Sequence, residues 1–211
     1  MSVLVQSILD AASDTLNDVS KIRYTLANQL QYYNDGIHEL AIFRPDLFTV
    51  VADIPCVAGT VEQRIPAGGM FIIDVYSIKN GPAVDLCEVD TLRTFRPSWR
   101  TDPPGPAQNW LRHPEDPTKQ NSPFFDVYPA APDNQTLTGE FPLVPDPVLE
   151  ADLATATLPV ADPYQVPLQA YIVYRSESKD DEHVDSGRAA LFRKVFEGLI
   201  EEADKEEVTA P

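Results

Sequence analysis

Fifteen of the chain's 20 prolines lie between Pro97 and Pro167. Each proline removes one backbone donor, so a central β-strand can hold few of them. This stretch therefore predicts short strands, turns and stiff extended loops. Short strands are expected at 124–128 and 136–144, with Asp133-Asn134 as a turn. Residues 145–158 predict an irregular crossing segment, stiffened by its prolines.

Both ends of the chain carry the opposite signal. Leu4, Ile8, Ala11 and Ala12 recur at helical spacing behind Ser2, a candidate N-cap. Leu26, Leu30, Tyr33, Ile37 and Leu40 form a one-sided apolar stripe, with Thr25 placed to cap it and Pro45 to end it. Near the C-terminus, Asp162-Pro163-Tyr164-Gln165 has the shape of a capped helix start, although Pro167 pushes the regular helix later. Leu168, Tyr171, Ile172 and Arg175 follow. A second helix carries Ala189, Phe192, Val195, Phe196 and Leu199 on one face. Residues 201–211 have no apolar periodicity and predict a loose acidic tail.

Between these ends the period drops to two. Strands are expected at 48–51 and 60–65, joined around Ala58-Gly59. Residues 65–69 read as a turn. An apolar run, 70–78, leads to Asn80-Gly81, a strong hairpin signal, with 84–89 as the returning strand. Asp90 is placed to cap a short helical piece before Pro97. The fold class is therefore α+β. A discontinuous four-helix bundle is drawn from residues 1–46 and 160–203. Residues 47–159 form an inserted β-rich, sandwich- or barrel-like domain with extended proline-rich loops, and 204–211 an acidic tail.

At 211 residues the chain can bury a core without disulfides or metals. Its formal net charge is −17. DNA affinity comes mainly from Lys and Arg displacing counterions, so a phosphate backbone is repelled rather than held. The same charge also serves solubility. Cys56 and Cys87 have neither CxxC spacing nor a nearby histidine, and read as two buried reduced thiols. Residues 1–10 lack the features of a signal peptide. The charge-poor stretch 153–174 is broken by three prolines, so no membrane span is expected and the protein should be cytoplasmic when made.

No catalytic, cofactor-binding or metal-binding set emerges. His38, His113 and His183 fall in three different elements, and no GxSxG elbow is present. Asp180, Asp181, Glu182, His183 and Asp185 invite a metal reading. Successive helical positions diverge by about 100°, however, and acidic residues at a helix start complement its dipole. Gly68-Gly69 lacks the GK[ST] of a phosphate loop and reads as a turn. The chain is read as a non-enzyme.

Interface chemistry is more promising. Trp99 and Trp110 flank the proline run 103–106, either as a docking surface or as pins holding the loop to its domain. Arg93, Arg96, Arg100 and Arg112 lie nearby, four of the chain's 16 cations. In so acidic a chain they suit pairing with a neighbouring subunit or the tail, or local salt bridges. The acidic end either stays solvated or folds on a partner.

The order of landmarks resembles the head-to-tail adaptor, or connector, proteins of tailed bacteriophages, the short-tailed type above all. Tyr33-Asn34-Asp35-Gly36 followed by Arg44-Pro45-Asp46 is similar to the family's helix with an Asn-Glu-Ala centre and Arg-Pro-Asp close, with Asp35-Gly36 in place of Glu-Ala. Gln63 to Gly68, Asp74-Val75-Tyr76, Phe95 to Trp99, Phe125 to Ala130 and Tyr171 to Asp180 resemble its later landmarks. The resemblance covers residues 3–203. It implies a virion component at the neck, made in the bacterial cytoplasm and assembled as a dodecameric ring. The ring would sit between the portal protein and a tail nozzle or tube, with DNA only passing through. It implies a β-rich middle touching neighbours and tail. It also implies a C-terminal helix meeting the portal, through Phe196, Leu199, Ile200 and Val208. Other readings are a nozzle or tail-completion protein, or a stand-alone binding module using the Trp99–Trp110 loop.

Overall fold

A computed structural model describes residues 3–112, 122–179 and 186–209. The chain divides into two compact units, 1–44 with 145–211, and 45–144. The described residues form five α-helices and two sheets.

The first unit is helical. Helix α1 spans Val5–Thr15. Leu4 bridges to Thr157, and Val5 N donates to Ala156 O at 3.0 Å, so neighbouring backbone starts this helix. Ser2 lies outside the described residues. Because Leu4 is spent on that pairing, the buried stripe is Val5, Ile8, Leu9, Ala12 and Ser13, and Leu4 faces water. Helix α2, Leu26–Phe43, is capped by Thr25, whose Oγ1 accepts from Asn28 N at 3.3 Å. It stops one residue before Pro45, which cannot follow a helical residue without a clash. Ser13 and Gln29 tie the first two helices, with Ser13 Oγ 2.9 Å from Gln29 Oε1.

A single 3-10 turn, Asp162–Tyr164, leads into helix α4, Gln165–Glu177. No capping bond from Asp162 forms. Pro167 falls in the first turn of α4, where its missing N–H has no helical partner to lose. The regular helix therefore starts before Pro167 instead of after it. Helix α4 packs against α1, α2 and the final helix of the chain, and its buried residues run nearly all round it. At the α2 crossing, a Cβ on Gly36 would lie 2.9 Å from Tyr171 Cδ1. The glycine that weakens α2 in isolation is the residue that lets α4 come close.

Helix α5 runs Ser186–Thr209. The expected loose tail is thus helical to Thr209. Glu, Ala and Lys are strong helix formers, and Glu201 stands four residues before Lys205. A polar sequence without an apolar stripe need not be a coil when it extends a helix already nucleated.

The second unit, 45–144, is β-rich. Strands β1 (Thr49–Pro55), β7 (Thr136–Pro142) and β3 (Asp74–Ile78) form an antiparallel sheet in the order β1-β7-β3. Strands β2 (Glu62–Arg64), β6 (Phe124–Tyr128), β5 (Asn109–Arg112) and β4 (Asp85–Leu86) form the other, in the order β2-β6-β5-β4. Neither closes into a barrel among the described residues. Strands β1 and β2, joined by the Gly59 turn, belong to different sheets, as do β6 and β7 across the Asn134 turn. After Asn80-Gly81 the chain touches β3 only briefly, through a bridge at Ser77 and Ala83. Then β4 pairs in parallel with β5.

Ile54, Val75, Leu137 and Phe141 from the first sheet share one core with Trp110, Phe125 and Val127 from the second. Gly139 sits where the sheets approach, since a Cβ there would meet Ile54 Cδ1 at 2.8 Å. The outer face of the second sheet carries Leu111 and Tyr128, which pack with Leu92 of helix α3 (Val89–Phe95) and with Trp99. Helix α3 begins after Glu88, and Asp90 lies in its first turn rather than at its cap.

Candidate assembly surfaces

Among the described residues, three surfaces combine exposed apolar side chains with clustered charged ones. The first surrounds the end of α3. Trp99 and Trp110 are 3% and 1% exposed and belong to different cores, on opposite faces of β5. Within this chain both tryptophans pin their loop to the sheet, which leaves the arginines at the surface. Arg100 lies over the Trp99 ring at 4.8 Å and reaches buried Asp126 at 3.5 Å. Arg96 stands 3.9 Å from Asp102, which also accepts from Ser98 Oγ and Tyr128 OH. Arg93 lies 3.4 Å from Asp90. Arg112 sits at the end of β5, in a separate groove with Asp74, Asp85 and Glu140. The structure thus gathers Arg93, Arg96, Trp99 and Arg100, while Trp110 and Arg112 stand apart.

Phe95 was not among the sequence candidates, and it is the most prominent side chain here, at 78% exposed. Its signal was available: a large aromatic between two arginines, at the end of a short helix.

The second surface is an open groove of ≈ 770 Å³ in the helical unit, between α2 and residues 147–150. Its apolar lining includes Leu30, Ile42, Phe43, Val148 and Leu149, with Asp35, Glu39 and Glu150 among its acidic residues. Ile42 is 68% and Leu149 60% exposed. Ile42 and Phe43 fall off the stripe that buries Leu30, Ile37 and Leu40, which is the sequence signal for a second apolar face.

The third is α5. Phe196 and Ile200 are buried, and the Phe196 ring packs tilted against Tyr171 at 4.9 Å and edge-to-face against Phe43 at 6.5 Å. Leu199 is half-buried, and Val208 lies in the helix beyond the last described side chain. Arg193 occupies the same inward stripe as Ala189, Phe196 and Ile200. There it binds Glu39 of α2, and it reaches Glu197 at 2.7 Å. The Glu39 bond is the main reason the guanidinium is held above its ordinary pKa. Burial pushes the Glu39 carboxyl up, but its bonds from Arg193 and Tyr171 bring it below the usual carboxylate value. Arg175 adds a 3.2 Å pair with Asp35 and lies over the Tyr32 ring. Arg188 pairs with Glu177 at 3.3 Å. The Arg193–Glu39 and Arg188–Glu177 pairs clamp the first half of α5 onto α2 and α4, while Arg175–Asp35 ties α4 to α2.

The two cysteines are free and half-buried rather than fully buried, and burial is the leading cause that pushes both thiols up, away from reactive thiolate. No metal-holding group of His, Cys, Asp or Glu occurs among the described residues. His113, His183 and the acidic run 180–185 lie outside them. No helix among the described residues is long and apolar enough to cross a membrane.

The family model of the SU10 adaptor protein matches residues 4–211. No curated protein matches the chain. The match spans nearly the whole chain and agrees with the resemblance to phage head-to-tail adaptors. The chain belongs to the SU10 adaptor protein family.

Proposed function

We propose that this SU10-family adaptor assembles as a ring, dodecameric by family resemblance, joining the portal of a phage head to its tail. The observation that carries this reading is the family match from residue 4 to residue 211. It is a structural role in the virion neck, without catalysis. Helices α1, α2, α4 and α5 act as one bundle forming the subunit wall. The β-rich unit supplies contacts to neighbours and to the tail nozzle or tube. A net charge of −17 per subunit suits a channel through which DNA slides without adhering.

The portal contact is assigned to α5. Phe196 and Ile200 anchor it, with Leu199 beside them, and the helix continues to Thr209 past Val208. A 24-residue helix is about 36 Å long. A clamped first half with a highly charged second half is suited to reaching a partner. The α3 surface, with Arg93, Arg96 and Arg100, the last lying over Trp99, is assigned to subunit or tail contact, and Arg112 in its separate groove is assigned likewise, with buried Trp110 supporting its strand from the core.

Electron microscopy of adaptor-deficient heads, with and without the purified chain, tests the assignment. A ring of this protein at the portal vertex is the expected result. Density only at the distal end of the tail would make it a nozzle component instead. A monomer that ignores heads would sink the adaptor role.

A further inference from the structure

Phe95 ends helix α3 with its ring in water, between Arg93 and Arg96, whose side chains are 54% and 64% exposed. Its neighbours Leu92 and Trp99 are buried in one core, so the projection is anchored on both sides. A rigid aromatic beside arginines has the composition of an interface hot spot, and its docking loses little conformational entropy.

The α2 groove has the complementary character. Its walls include Ile42, Phe43 and Leu149, an apolar site for an aromatic ring. Glu150 lines it and forms no ion pair among the described residues. Asp35 and Glu39 lie along the same helix, already engaged with Arg175 and Arg193. The volume of ≈ 770 Å³ admits a phenylalanine with the stems of its flanking arginines.

We propose that Phe95 of one copy inserts into the α2 groove of the next, with Arg93 and Arg96 meeting Glu150. The inference rests on the ring reading above and names the surfaces that join its subunits. Charge complementarity points to a second copy as the occupant of the socket. The knob offers two half-exposed guanidiniums, each also within reach of its own Asp90 or Asp102, and the socket offers the carboxylate of Glu150. Knob and socket are different patches, so the contact is heterologous and repeats from subunit to subunit, as a ring requires.

The test compares wild type, Phe95→Asp, Ile42→Asp, and the pair Arg93→Glu with Arg96→Glu, each added to adaptor-deficient heads and imaged. Both apolar sites are exposed, so Phe95→Asp and Ile42→Asp should keep the wild-type melting curve, while the double arginine variant loses its pairs with Asp90 and Asp102 and is compared at a temperature well below its own midpoint. Each should form rings at least about tenfold less well, the loss typical of a hot spot. Adding Glu150→Arg to the double arginine variant should restore part of the loss. Benzoylphenylalanine in place of Phe95 should cross-link to residues 27–43 or 147–150 of an isotopically distinct copy. Cross-links to portal or tail protein instead, or normal rings from Phe95→Asp, would overturn this contact while leaving the adaptor role intact. Absence of any ring from the wild-type chain would overturn both.

Discussion

Asn34 and Val148 bind each other twice across 114 positions of sequence. Asn34 Nδ2 donates to Val148 O at 3.0 Å, and Val148 N donates to Asn34 Oδ1 at 3.0 Å. One amide thus satisfies both backbone groups of a residue in a segment with no regular secondary structure. The proline-bearing strap is held to the middle of α2, and Leu149 and Glu150 are placed at the edge of the groove.

Asn34→Ala should leave a donor and an acceptor of Val148 unmet. The cost is about 1–3 kcal/mol, or a drop in Tm of roughly 2–4 °C per kcal/mol for a chain of this size. Hydrogen exchange should rise first at 146–150. Unchanged protection there would show that the strap is held by packing alone.

Gly36→Ala pits two effects against each other. Helix propensity favours alanine by about 1 kcal/mol. The new methyl would sit 2.9 Å from Tyr171 Cδ1 and 3.2 Å from Leu168 Cδ2, in a close-packed crossing. Overpacking of this kind costs about 1–3 kcal/mol, so the net result should be destabilising in urea titration. A gain in midpoint would mean the α2–α4 contact is looser than described.

The loop between α1 and α2 should be acid-sensitive. Asp18 accepts N–H groups from Tyr24 at 2.8 Å and from Ile22 and Arg23 at 3.0 Å. The Tyr24 bond leads in holding the carboxyl below its ordinary value, about 3.9. A depressed folded pKa contributes stability that is complete above the unfolded pKa and lost as pH falls through the folded one. Wild type should therefore lose this contribution below about pH 4, and Asp18→Asn should show a shallower decline. Parallel melting curves for the two proteins between pH 3 and 6 would rule the carboxylate out.

Helix α5 should separate into an anchor and an extension. Phe196→Ala removes a buried ring between Phe43 and Tyr171 and should cost about 3–5 kcal/mol. Deleting residues 202–211 spares both buried anchors, so the melting curve should stay near wild type while attachment to heads is lost. Full tail joining by that truncation would remove α5 from the portal contact.

Several elements were legible in the sequence because the information is local. The stripe from Leu26 to Leu40 with Thr25 before it locates α2, since capping and 3.6-residue periodicity both act within a few turns. Phe124–Tyr128 appears as the strand expected there, and Asn80 and Asn134 take the positive φ that marks their turns. The aromatic and arginine content of residues 93–100 announced a surface worth attention, but not that Trp99 would face inward and Phe95 outward. That division depends on which face of β5 and β6 the segment covers.

Strand pairing was not legible. Alternation marks a strand's buried face, yet β1 pairs with β7 rather than with β2, and that choice is made by the shared core of Ile54, Leu137 and Phe141. Arg193 shows the same limit. Its spacing places it on an apolar stripe, and besides Glu197 of its own helix it is the approach of Glu39 from another helix that pairs its charge there. The sequence alone determined most of where the backbone curls, extends and turns, the helical end of α5 excepted, because those preferences are summed over neighbouring residues. Only the tertiary structure decided which faces meet and which groups stay at the surface, because burial and ion pairing join residues far apart along the chain.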